Sequence, residues 1–321
     1  MIFNHLLAIT LAFFIDLIIG DPPKWPHPVK WMGTLIARLE KGLNHGKNKK
    51  GKGLLMLITV LLAAGGLTYL FIGFFYFLHP VAGVLIEAIV ISTAIAQKSL
   101  KEAALDVYVP LKSGDINEAR RRLSYIVGRD TDKLAEPEIV RGTVETVAEN
   151  TSDGITAPLF WALIGGAPLA IMYRAINTCD SMVGYRNAKY EEFGSASARL
   201  DDVVNWIPSR LTSACMMAVN KPLFYKKREA WKIVMRDAKK HPSPNSGWGE
   251  AAIASLLGIQ LGGINTYQGV ISNRATMGDP LDVLEKNHIL QANEIVTRTV
   301  PVYIFLLWMG GIVIEVASSW V

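Results

Sequence analysis

The chain has 321 residues, half of them hydrophobic and only 19% charged, with 33 Lys and Arg against 28 Asp and Glu for a formal net charge of +5. That balance belongs to membrane proteins more than to soluble enzymes of this length. Two cysteines, Cys179 and Cys215, exclude a disulfide scaffold and a thiolate zinc site.

Residues 1–20 are mostly apolar but interrupted by Asp16, and they lack the basic start and small-residue exit of a signal peptide, so they read as a retained membrane helix. A rigid proline-rich turn, Asp21 to Val29, opens a basic loop over 21–53. Within it Gly46 to Lys52 matches G-x-x-x-x-G-K, but Gly53 stands where Ser or Thr would hold Mg²⁺ and no strand precedes, so it is read as a membrane anchor. The uncharged run 54–78, the punctuation His79-Pro80 and the run 81–97 with its single Glu87 predict a hairpin of two spans. Next comes a polar loop over 98–150, with helical periodicity at 115–127 and 137–150.

Three apolar segments are ambiguous. Segment 155–173 is uncharged but carries Gly165-Gly166-Ala167-Pro168 in its middle, which suits either a straight span or two half-helices. Segment 203–219 contains Asn205, Pro208 and Arg210, groups that should face protein or water. After a third polar loop at 220–250, segment 251–264 is too short to span comfortably. The last span is 299–318. No run alternates like a strand, so the expectation is one all-α polytopic membrane domain: about four firm transmembrane helices (1–20, 54–78, 81–97, 299–318), broken or re-entrant segments, and helical loops. Of the 33 cations, 23 fall within 38–52, 98–141 and 221–240. By the positive-inside rule these loops face the cytoplasm and anionic lipid, not nucleic acid, and Met1 faces out.

The polar information is concentrated between Arg129 and Arg210. Glu145, Glu149 and Asp153 are spaced i, i+4, i+8 and share one face if the helix continues through Asn150, with Arg141 able to pair with Glu145. A solvated, ion-paired face is the competing reading. What favours chemistry is that the triplet runs straight into the apolar segment, where carboxylates at a membrane rim suit Mg²⁺. A second cluster holds Asn177, Asp180 and Arg186, and a third holds Arg199, Asp201, Asp202, Asn205 and Arg210. Asp201-Asp202 could be a helix N-cap with its neighbour; with arginines beside them they also have the inventory for metal and phosphate together. His27, His79 and His241 each precede a proline and could be structural.

Taken together, the segments Asp16 to Gly33, Gly128 to Trp161, Asn177 to Arg186, Phe193 to Arg210 and His241 to Glu250 resemble, in order, the integral-membrane cobalamin-biosynthesis family called CbiB in the anaerobic pathway and CobD in the aerobic one. Cys179 stands where the family usually has a leucine-like residue, and 35–125 matches only in hydropathy. The resemblance implies an adenosylcobinamide-phosphate synthase in the plasma or inner membrane. It would join the free propionate of the corrinoid adenosylcobyric acid to the amine of (R)-1-aminopropan-2-ol phosphate with ATP and Mg²⁺, with other cobamide-assembly enzymes as possible neighbours. On that reading Glu149, Asp153, Asp180 and Asp201 are catalytic. Glu145, Glu149, Asp153, Asp180, Asp201 and Asp202 hold metal. Asp21, His27, Arg129, Asn150, Asn177, Arg186, Arg199, Arg210, His241 and Asn245 bind substrate. Without the resemblance, a transporter of a small anionic solute or a Mg²⁺-dependent membrane phosphotransferase or prenyltransferase would stay open.

Overall fold

A computed structural model describes residues 1–22, 25–185 and 187–318. Most of it is helix. Four helical runs are long and apolar enough to cross a membrane: Lys49–Leu78, Pro80–Ser113, Glu136–Val183 and Asn287–Ala317. These are not quite the four expected. The N-terminal helix α1 (Ile2–Ile18) has 17 residues, short of a comfortable span, because the chain turns at Gly20 (φ +66°) and meets Asp21-Pro22. The ambiguous 155–173 instead lies inside one of the four long runs. The helices divide into two compact units: residues 1–98, 153–205 and 304–321, and residues 99–152 and 206–303.

In the first unit, α1 packs on α5 (Pro80–Ser92), which also meets α4 (Leu67–Leu78) and α9 (Ala157–Val183). The amphipathic α2 (Pro28–Leu43) runs beside α3 (Lys49–Leu61), and a π-helical turn, Leu62–Gly66, joins α3 to α4. Asp16 ends the α1 segment by accepting the backbone N–H groups of Gln97 (3.0 Å) and Lys98 (3.2 Å), which open α6 (Gln97–Ser113). Helix α9 is two half-helices, since Gly165 (φ −149°, ψ 29°) and Gly166 (φ +65°, ψ −158°) are non-helical. A break at membrane depth frees backbone groups that lipid cannot satisfy. Here Glu87 accepts the N–H of Ala167 at 3.0 Å and the Tyr76 hydroxyl at 2.5 Å, and stands 3.0 Å from His5 Nδ1, fully buried. A Cβ on Gly166 would lie 2.0 Å from Glu87 Oε1, so both the φ and the space require glycine there.

The second unit is built around α13 (Ser246–Leu257), buried along most of its length. It packs on α8 (Glu136–Thr151), α11 (Trp206–Val219) and α12 (Lys227–Asp237), while α7 (Ile116–Ser124), N-capped by Asp115, packs on α8. The apolar segment 203–219 is thus divided at Asn205, after α10 (Ser195–Val204). The stretch 251–264 is not one helix: α13 stops at Gly258 (φ +70°). A β-hairpin follows, with β1 (Leu261–Tyr267) antiparallel to β2 (Val270–Met277), which corrects the expectation of no strands. The hairpin escaped the periodicity argument because β1 carries Gly262-Gly263 at an irregular register and its stabilising partners are remote in sequence. Asp130 accepts both turn N–H groups, Gln268 (3.0 Å) and Gly269 (2.9 Å), and Arg141 donates to Gly262 O (2.6 Å) and Ile264 O (2.7 Å). Helix α14 (Asn287–Ser318) completes the chain.

Helices α8 and α13 approach closely at Gly249, where a Cβ would lie 2.6 Å from Ala148 O, a backbone atom that cannot swing aside. Gly249→Ala should therefore lower stability by about 1–3 kcal/mol through overpacking. The midpoint of thermal unfolding in detergent checks this, and an unchanged midpoint would contradict the packing described.

Candidate active site

The first unit gathers a polar network on α9 and α10. Asp201 and Asn205 lie one turn apart, and Asn205 Nδ2 donates to Asp201 Oδ2 at 3.0 Å. Tyr173 donates to Asn205 Oδ1 at 2.7 Å, and Asn177 Nδ2 stands 3.5 Å from Asp201 Oδ1. Arg174 NH1 donates to the carbonyl of Asp153 at 3.1 Å, while its Nε is buried with no hydrogen-bond partner among the described residues. Burial first, and then the Asp180 charge, push the Asp201 carboxyl up to about 7, although Asn205 and Asn177 pull it down. Asp201 and Asp202 occupy the last turn of α10, where the helix dipole disfavours anions, so the N-cap explanation does not hold.

The Asp201 shift has a measurable consequence. Between about pH 4, where an unfolded Asp ionises, and pH 7, the folded chain retains a proton that the unfolded chain has lost. Stability contributed by this proton is complete below that window and is lost as pH rises through 7. The unfolding midpoint should fall as pH rises from about 4 to 7, and Asp201→Asn should flatten that slope. A slope unchanged in the variant would remove Asp201 as its source.

In the second unit, α8, α13 and the hairpin converge. Glu145 is buried, with Oε2 bonded to Arg129 and Oε1 accepting the Gly262 N–H at 2.8 Å. Arg129 also donates to Asn265 Oδ1 at 2.7 Å. One turn on, Glu149 Oε1 accepts from the Ser246 hydroxyl at 2.9 Å. Glu250, 2% exposed, meets His241 Nε2 at 3.4 Å. His241 Nδ1 lies 3.0 Å from Ser243 N and 3.3 Å from Ser243 O, and its Nε2 faces Glu250. Burial pushes His241 down, and burial followed by the Glu145 and Glu149 charges pushes Glu250 well up, so burial favours the neutral form of each at this contact. Arg274 stands 3.5 Å from the same ring nitrogen and donates to Tyr267 at 2.9 Å.

The CobD/Cbib protein family matches residues 9–296. The chain belongs to this family. "Cobalamin biosynthesis protein CobD" of Halalkalibacterium halodurans is 52% identical over 98% of this chain and 99% of its own length. The proteins of the same name from Geobacter metallireducens (48% identical; 87% of this chain, 88% of the relative) and Clostridium perfringens (44%; 90% and 93%) are similar to it as well. No solved structure matches.

Within this CobD/Cbib chain the expected site residues separate. Asp153, Asn177, Asp180, Arg199, Asp201 and Asp202 belong to the first unit, as do Asp21 and His27; Arg129, Glu145, Glu149, Asn150, Arg210, His241 and Asn245 belong to the second. No three His, Cys, Asp or Glu side chains converge on a metal position among the described residues, so the six carboxylates expected to hold metal are not one cluster. Glu145 has both oxygens occupied by Arg129 and Gly262, which leaves it the anchor of the hairpin. Arg210 is not grouped with Asp180 and Asp201. Its guanidinium lies over the rings of Trp206 (4.4 Å) and Trp248 (5.0 Å), and it donates to Trp206 O (2.6 Å) and Asn245 Oδ1 (3.2 Å). His27 Nδ1 caps α2 by accepting Val29 N at 3.3 Å, while its Nε2 meets Asp21 at 3.0 Å. Asn150 donates back to Thr146 O at 2.9 Å, Arg199 is exposed on α10, and Arg186 lies outside the described residues.

Tyr173, Arg174, Glu250 and Arg274 were missing from the sequence reading. Arg174 could have been found, as the first charge after an uncharged run, and Glu250 ends a segment already singled out. Nothing local in the sequence pointed to Arg274. The pair Asp180 and Asp201 fits Mg²⁺, which needs only one or two carboxylates beside substrate phosphates. The orphaned N–H of Arg174 adds a donor for an anion in the same unit.

Proposed function

We propose that this CobD/Cbib member, with a role in cobalamin biosynthesis, is a membrane-bound ligase. It joins the free carboxylate of adenosylcobyric acid to the amine of (R)-1-aminopropan-2-ol phosphate, with ATP converted to ADP and phosphate. The observation that carries the reading is the unit holding Asp180, Asp201, Asn177 and Arg174. A repelling carboxylate pair, the Asn177 amide and an unsatisfied guanidinium nitrogen are the groups that a metal-bound phosphate requires. Bound Mg²⁺ would supply neutralisation of phosphate charge. The first unit's own part is to orient the phosphates through Arg174 and to keep Asp201 in place through Asn205 and Tyr173; in the second unit His241 and Glu250 form a separate pair able to take up the proton of an amine. Such an amine must lose a proton to attack an activated carboxyl.

Purified protein with the corrinoid, the amino alcohol phosphate and ATP, read by mass spectrometry, tests this directly. The amide product together with ADP is expected. Pyrophosphate or a nucleoside monophosphate would favour a transferase, and no product without a gradient would favour a transporter.

The basic loops further support a cytoplasmic active face. Single cysteines at Lys49, Lys112 and Lys227, in a chain lacking Cys179 and Cys215, should resist an impermeant thiol reagent in intact cells. Labelling of any one before lysis would overturn that orientation.

A further inference from the structure

One cavity has no part in this chemistry. In the first unit a groove of ≈ 660 Å³ lies between the N-terminal half of α2 and the bulged junction of α3 and α4, bounded by Trp31, Leu35, Ala64, Leu67, Thr68 and Phe71. Its concave wall comes from the π-helical turn Leu62–Gly66, whose wider winding and small residues Ala63 and Ala64 withdraw side-chain volume from the helix surface. Thr68 is the one hydroxyl in that lining, and it already donates to Ala64 O at 2.7 Å. A phosphate, a nucleotide or an amide-fringed corrin would find only the Trp31 indole N–H and the Thr68 hydroxyl here and would be desolvated with little compensation.

Location then selects the ligand. The wall from Val60 to Phe71 belongs to a membrane-crossing helix and begins roughly 12 Å beyond Lys52, the last of the lysines that open it, at hydrocarbon depth. Leu67 and Phe71 are 69% and 50% exposed, so the groove opens towards lipid, not into the protein interior. Its rim is Trp31, 63% exposed, on the amphipathic α2, whose polar face carries Lys30, Arg38 and Lys41. An exposed indole beside cations on an amphipathic helix is the arrangement that sits at a headgroup layer and attracts anionic lipid. We infer that the groove holds one acyl chain of an anionic glycerophospholipid, with the headgroup against the cationic face of α2.

The probe is phosphatidylglycerol with a photoactivatable diazirine in one acyl chain, and phosphatidylcholine with the same chain as the comparison. Each is reconstituted with the full chain, and the attachment sites are read by mass spectrometry. The expected result is labelling of 31–35 and 63–71 several-fold above the lipid-exposed stretch 305–316, stronger for phosphatidylglycerol, and lost in Ala64→Phe with the unfolding midpoint retained. If Ala64→Phe does not fold, Ala63→Leu serves as the filling variant. Labelling of the groove no greater than that of 305–316, or undiminished in a folded filling variant, overturns the site. Disulfide-linked dimers formed by a single cysteine placed at Leu67, in a chain lacking Cys179 and Cys215, would assign the groove to a second copy and overturn it equally. Equal labelling by the two lipids overturns the anionic headgroup. Since no step of the ligation enters this argument, a chain without ligase activity could still take the lipid.

Discussion

Asp201→Asn should lower turnover by about a hundredfold or more and raise the Mg²⁺ concentration needed for half-maximal rate, because the loss of one carboxylate from a metal–phosphate site removes several kcal/mol of charge stabilisation. The replacement is nearly isosteric. Its amide oxygen can still accept from Asn205, so the connection to Tyr173 survives and folding should be kept or improved, a buried repulsive charge having gone. Asp180→Asn should lose a similar factor, since Asp180 is the largest neighbouring charge acting on Asp201. The double variant should be scarcely worse than either single one, as expected of residues that act as a unit. Additive losses, or wild-type Mg²⁺ dependence in Asp201→Asn, would place the two in unrelated roles.

What could be read from the sequence divides along a physical line. The long apolar runs carry their own evidence, because hydrocarbon thickness sets a length that composition alone can meet, and the Gly165-Gly166 break was visible for the same local reason. The hairpin was not visible. Its register depends on Asp130 and Arg141, both more than a hundred residues upstream of β1, and on a two-glycine irregularity that reads as a loop. In the site, residue types were legible but partnerships were not. Glu145 and Glu149 look equivalent at i and i+4, yet Glu145 is neutralised by Arg129 whereas Glu149 accepts from the Ser246 hydroxyl. Similarly, Asp201-Asp202 resembles the start of a helix in sequence and occupies the end of one in the fold. Arg210 was grouped with the aspartates because it is near them in the chain, whereas its cation is held by two indoles and Asn245.

Glu250 offers the sharpest test of the second unit, because burial and function make opposite demands on its proton. A carboxyl 2% exposed, with Glu145 and Glu149 as neighbouring negative charges, favours the protonated form, and Gln is the closest neutral replacement. Glu250→Gln should therefore fold at least as well as the wild type. If Glu250 with His241 accepts the proton of the attacking amine, the same substitution should lower kcat about a hundredfold or more with little change in KM for the corrinoid. The sign of the pH dependence follows: a base whose carboxyl is raised works only above its elevated titration, so wild-type kcat should climb with pH on the acid side, and that limb should vanish in the residual rate of Glu250→Gln. His241→Gln, which removes the ring facing Glu250, should shift the limb as well as reduce the rate, since the two groups titrate together. Full turnover by Glu250→Gln at every pH would make Glu250 a protonated packing residue. The proton acceptor would then have to be sought at Glu149, whose carboxylate already meets the hydroxyl of Ser246.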